Sequence, residues 1–153
     1  MKYFTLLLAL FALSMPLTAQ DSSNSIKMSD FDRSLEGFSF SKGELVKIDP
    51  SISGFPMDVD FIFDMPHGIG MNNSELTKWF PGTAGIFDLG EIALDTEIEY
   101  PVEGYTPSLE PEMIIPGHTY FIRTADSDHQ GKIHIVMFDS ESENFEFTWV
   151  YLD

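Results

Sequence analysis

Along the last third of the chain, apolar and polar residues alternate in three runs broken by two polar stretches, GHTYFIRTADSDHQGKIHIVMFDSESENFEFTWVYL from Gly117 to Leu152. Alternation with a period of two is the pattern of a half-buried strand, so the tail reads as three antiparallel strands joined by two turns. With the first turn at Ser127–Gln130, Thr124 faces Ile133, Ile122 faces Ile135 and Tyr120 faces Met137. An odd-length second loop, Ser140–Asn144, sets Met137 opposite Phe147, Ile135 opposite Trp149 and Ile133 opposite Tyr151. An even-length loop would place the aromatic residues beside His134 and Val136 instead. The odd loop unites the apolar positions and is the register adopted here. The other face, Phe121, Val136, Phe138 and Val150 around Arg123 and His134, is half apolar and is expected to be partly covered.

Upstream, Gly37–Phe40 and Glu44–Ile48 flank the turn formers Lys42-Gly43 and predict a short hairpin. In MDVDFIFD, Met57 to Asp64, the apolar Val59, Phe61 and Phe63 alternate with a mostly acidic face. Met65–Asn72 reads as a glycine- and proline-containing loop, followed by a short helical turn capped by Asn73 or Ser74 and running to Phe80. Gly85–Leu89 and Glu91–Tyr100 read as one or two further strands. Pro101, Pro107, Pro111 and Pro116 then punctuate a long connection that should cross the sheet surface or follow an edge, because proline donates nothing to a ladder. Seven or eight short strands separated by turns predict an all-β fold, an antiparallel β-sandwich or partly open barrel with one short helical turn.

The N-terminus changes the domain boundaries. Lys2 precedes an apolar run, Tyr3–Leu13, followed by Pro16 and Leu17-Thr18-Ala19, the shape of a signal peptide over residues 1–19. Residues 20–34, serine-rich and polar, read as a flexible leader, and 35–153 as a single β domain. The expected localisation is secreted or periplasmic, with no membrane insertion, since the apolar run is too short for a permanent span. The sequence contains no cysteine, which excludes disulfides, thiol catalysis and thiolate metal sites. The formal charge is −17. That field repels phosphate backbones and anionic lipid, and suits cations or cationic partners.

No serine-nucleophile elbow, histidine–glutamate metalloprotease pattern, phosphate-cradling loop or dinucleotide fingerprint occurs, so the reading is non-enzymatic. Glu110 and Glu112 are merely two carboxylates among many. Within DMPHGIGMN, Met65, His67 and Met71 share one short stretch, and thioether with imidazole suits haem iron or copper. His129, at the tip of the first tail hairpin, is placed to reach a planar ligand over the sheet edge. His118 and His134 read as structural. Asp58, Asp60 and Asp64 leave one strand face and are candidate oxygen ligands for calcium. Asn72-Asn73-Ser74 matches a glycan acceptor.

The segments GHTYFIRTADSDHQGKIHIV and FEFTWVYL, together with GFSFSKGELVKIDP and MDVDFIF, resemble the HmuY-like family of exported haem-binding proteins. The resemblance implies a β-rich, non-enzymatic protein that holds haem through axial histidine or methionine side chains. His67, His129, Met65 and Met71 are then the cofactor-binding candidates. The alternative is an acidic extracellular interaction module that binds a protein, a glycan or calcium. The expected partner is thus a small-molecule or protein ligand.

Overall fold

The computed structural model of the chain describes residues 25–51, 56, 58–72, 84–124 and 130–152. These form two five-stranded antiparallel sheets packed as a β-sandwich. The first sheet has the order β1 (Ser25–Ser29), β10 (Asn144–Leu152), β9 (Gln130–Asp139), β8 (Thr119–Arg123), β6 (Gly85–Asp88). The second has the order β3 (Glu44–Lys47), β2 (Glu36–Ser39), β4 (Phe61–Asp64), β5 (Gly68–Met71), β7 (Ser108–Leu109). A short helix α1 (Phe31–Ser34) and a 3₁₀ turn at Pro111–Met113 complete the described elements. Among the described residues, no helix is long and apolar enough to cross a membrane.

Phe38 is the centre of the core. Its ring lies 5.1 Å from Phe40, 5.3 Å from Phe61, 5.1 Å from Phe147 and 5.4 Å from Trp149. Phe38 and Phe61 come from the second sheet and Phe147 and Trp149 from the first, so these contacts join the two sheets. Phe145 stacks on Phe147 at 4.9 Å, as residues two apart on one strand face should. Edge-to-face and offset arrangements of this kind add about 0.5–1.5 kcal/mol per pair beyond area burial.

The tail folds as three antiparallel strands, with two changes of register. Tyr120 faces Ile133 rather than Met137, and Ile122 faces Gly131 rather than Ile135. Both displacements are even, so the core face is kept. In the second hairpin Asn144 pairs with Asp139, which makes the loop Ser140–Glu143 even in length, contrary to the odd loop expected. A β-bulge then restores the aromatic face: Glu146 pairs with Met137 but Phe147 with Ile135, leaving Val136 as the extra residue. Beyond the bulge Trp149 faces Ile133 and Tyr151 faces Gly131. The bulge turns Phe138 inward onto Phe63, at 6.0 Å and nearly perpendicular, and leaves Val136 exposed. Met137, expected in the core, lies opposite Glu146 instead.

The β2–β3 hairpin forms about the expected turn, where Gly43 takes φ +68° and donates to the Ser39 carbonyl at 2.8 Å. Two segments differ from expectation. Ser25–Ser34, read as part of a leader, contains an edge strand and a helix, because Met28 reaches the core and Asp30 ties the sheets together. The Asp30 N–H donates to the Glu143 carbonyl at 3.1 Å, and its buried carboxylate accepts from the Met65 N–H at 2.6 Å. Met65–Asn72, read as a loop, contains β5, which places Ile69 and Met71 in the core opposite Phe63 and Phe61. The predicted helical turn from Asn73 to Phe80 lies outside the described residues.

Candidate functional site

A strap, residues 91–105, crosses the outer face of the first sheet over β8 and β9; its first part, Glu91–Tyr100, is the segment that the alternation of Ile92, Leu94 and Ile98 presents as a strand. Gly90 takes φ +75° and turns the chain off the sheet edge after β6. The place beside β6 that a strand would fill is held instead by Thr106, which exchanges backbone hydrogen bonds with Ile86 at 2.8 and 2.9 Å. The alternation is real, with Ile92, Leu94 and Ile98 half-buried and Glu91, Asp95, Glu97 and Glu99 exposed, but it serves to lie across a sheet.

Polar bonds from the sheet below fix the strap at two points. Thr119 Oγ1 donates to the Ile92 carbonyl at 2.6 Å and, with its proton so used, accepts from His134 Nδ1 at 2.9 Å. Lys132, only 3% exposed, donates from Nζ to the Thr96 carbonyl at 2.7 Å. Burial pushes the Lys132 ammonium below its usual range, and the nearby Asp95 carboxylate offsets part of that. Further along, Tyr100 lies 5.3 Å from the buried Phe121 ring, and Tyr105 packs on Phe121 at 6.1 Å and on Phe87 at 6.0 Å. Arg123 sits 3.9 Å above the Tyr105 ring, a cation–π contact. Tyr105 Oη donates to the Pro101 carbonyl at 2.6 Å and so closes the turn after Tyr100.

What the strap shows to solvent is both acidic and apolar. Tyr100 is 48% exposed and Val102 is 89% exposed. Glu91, Asp95, Glu97, Glu99 and Glu103 are exposed beside them. No lysine or arginine occurs between Lys78 and Arg123. Among the described residues, the ion pairs engage Glu36, Asp58, Asp64, Asp88, Glu143 and Glu146, and none of Glu91, Glu97, Glu99 or Glu103.

The buried lysine gives a pH prediction. With its folded-state value held below the ordinary 10.5, the unfolded chain binds more protons between those two values. The stability that Lys132 contributes therefore rises with pH across that window. Burial holds the Tyr105 and Tyr120 hydroxyls protonated and acts in the opposite sense above about pH 10, but it does so equally in a variant that keeps both. Urea unfolding of wild type and Lys132→Met from neutral pH towards 10 should show the difference shifting steadily in favour of wild type. A difference independent of pH would contradict the buried ammonium.

Among the described residues, those singled out in the sequence are not gathered into one site. Met71 is buried in the core, and Met65, partly buried, packs against that core. His67 stands at the β4–β5 turn with its side chain 79% exposed and Nδ1 2.9 Å from Asp64 Oδ2. A ligand pair of His67 with Met71 is therefore not formed. His129 lies outside the described residues. Of the three aspartates, Asp58 is paired with Lys42, whose hydrogen bond holds the carboxyl below its ordinary range. Asp60 accepts from the Phe40 N–H at 2.7 Å, and Asp64 holds His67. Among the described residues, no three histidine or carboxylate side chains meet to hold a metal ion.

His118 makes a second histidine–carboxylate pair, with Nδ1 3.0 Å from each oxygen of Asp88. It stands where β6 and β8 meet, in keeping with a structural role. The sequence alone does not single out Tyr100 and Val102 of the strap or Lys132 of β9 beneath it. The usable sign is the long interval without a basic residue, joined to Pro101, which ends the expected strand at Tyr100. No protein-family profile matches the sequence, and no curated protein is detectably similar to it.

Proposed function

We propose that the chain is an exported, non-enzymatic binding module whose recognition surface is the strap over the first sheet, and that its ligand is a cationic protein. The observation that supports this reading is the combination on the strap of exposed apolar side chains, Tyr100 and Val102, with carboxylates that form no ion pair among the described residues. Exposed apolar groups rimmed by charge mark interaction surfaces, and an irregular segment fixed on a rigid scaffold is where binding residues collect. Complementary charge sets the sign of the partner and speeds its encounter. Poly-lysine is the direct probe: it should bind, bind more weakly as salt is raised, and lose affinity when Glu97, Glu99 and Glu103 are replaced by glutamine. Binding unchanged by those replacements would overturn the reading.

A second reading, haem binding, is favoured by one observation. Asp64 engages Nδ1 of His67 and leaves Nε2 directed away from that bond, the arrangement in which a carboxylate orients a ligating imidazole. Haem titration of the mature chain should then give a Soret shift that His67→Ala abolishes. A spectrum identical in that variant would remove His67 from any haem site.

A further inference from the structure

We infer that Tyr100, flanked along the strap by Glu97, Glu99 and Glu103, is a receptor for an arginine side chain of the partner. The inference rests on the strap being the partner surface and names the group that the surface takes. The ring is half exposed, and its other side leans at 40° on Phe121, which is itself fully buried. A tilted contact with one neighbour covers one side of a ring and leaves the other uncovered by that neighbour. The electron-rich face of such a ring attracts a cation, and a guanidinium, planar and weakly hydrated, stacks on it better than an ammonium.

The three glutamates are neighbours of Tyr100 in sequence, all are exposed, and none is engaged by a cation of the chain among the described residues. A carboxylate beside the ring supplies the paired hydrogen bonds that a guanidinium accommodates. The backbone is fixed on both sides of the ring. Lys132 holds Thr96 on one side, and the Tyr105 hydroxyl holds the Pro101 carbonyl on the other. A preorganised site loses little freedom on binding. Val102, nearly free of contacts and two residues on, offers an apolar place for the aliphatic stem or a neighbouring side chain.

The experiment uses the mature chain and a tyrosine-free synthetic peptide carrying spaced arginines. Two counterparts carry lysine or the neutral isostere citrulline at the same positions. Affinity should fall in the order arginine, lysine, citrulline. Tyr100→Phe, which keeps the π face, should bind within about twofold of wild type, and Tyr100→Leu about tenfold more weakly at equal salt. Unchanged thermal unfolding of each variant shows that the fold is retained. If the arginine peptide binds the strap but Tyr100→Leu and the lysine peptide behave like wild type and arginine, charge alone accounts for binding; the receptor is then refuted while the strap reading stands. If the peptide binds without involving the strap, both fall.

Discussion

Replacing Phe38 with alanine should destabilise the protein by about 4 kcal/mol, the middle of the range for a phenylalanine removed from a close-packed core. Phe38 has no exposed surface, and the four rings around it come from both sheets. Deleting it opens a cavity that no single neighbour can fill, because Phe61, Phe147 and Trp149 are held by their own strands. For a domain of this size such a loss lowers the unfolding midpoint by roughly 10–15 °C. Thermal and urea unfolding measure it. A loss below about 1.5 kcal/mol, the cost of a volume-conserving core exchange, would mean that the rings do not meet as described.

The second large effect is expected at Gly68, the first residue of β5. Its φ is +84°, a conformation that costs a side-chain-bearing residue of order 1–2 kcal/mol by itself. A Cβ there would also stand 2.0 Å from the Leu109 carbonyl oxygen, and backbone cannot rotate away as a side chain can. Gly68→Ala must therefore push β7 off β5, and a loss of at least about 3 kcal/mol is expected. Gly90 supplies the comparison, with φ +75° and nothing within 4 Å of its added Cβ. Gly90→Ala should cost only about 1 kcal/mol. Equal losses at the two positions would show that β7 does not approach β5 closely.

The pairing of faces was legible in the sequence where alternation was strong. Phe145 and Phe147, with Ile133 and Ile135, are buried as the aromatic and aliphatic runs required. Register was not legible, because a period of two is unchanged by any even displacement, and Tyr120 meets Ile133 as readily as Met137. The bulge at Val136 has no mark in the sequence, yet it decides which of Met137 and Phe138 enters the core. Composition misled at Ser25–Ser29, where serines hide the apolar Ile26 and Met28. It misled again at Gly68–Met71, where two glycines suggested a loop although Ile69 and Met71 fill the core.

The surface was misread for a related reason. Alternation reports which side of a segment faces apolar matter, not whether the segment pairs with another. Residues 91–100 alternate because they lie on a sheet, anchored by Thr119 and Lys132, and not because they belong to one. Closeness in sequence suggests the metal and cofactor candidates, but Met71 enters the core while His67 stands exposed in the β4–β5 turn, and each aspartate is engaged by a hydrogen bond or ion pair. The charge excess that had stood as a property of the whole chain becomes local once the strap is seen. Its carboxylates lie in the longest interval of the sequence without a lysine or arginine.

The most direct measurement is a residue-resolved footprint of poly-lysine on the isotope-labelled protein, residues 20–153, taken by amide and methyl NMR at low salt and again at high salt. Shifts should concentrate at low salt on residues 91–105, with Tyr100 and Val102 foremost, and vanish together as salt is raised. Shifts spread evenly over the acidic surface, or centred on the β4–β5 turn at His67, would contradict a strap built to meet a cationic partner.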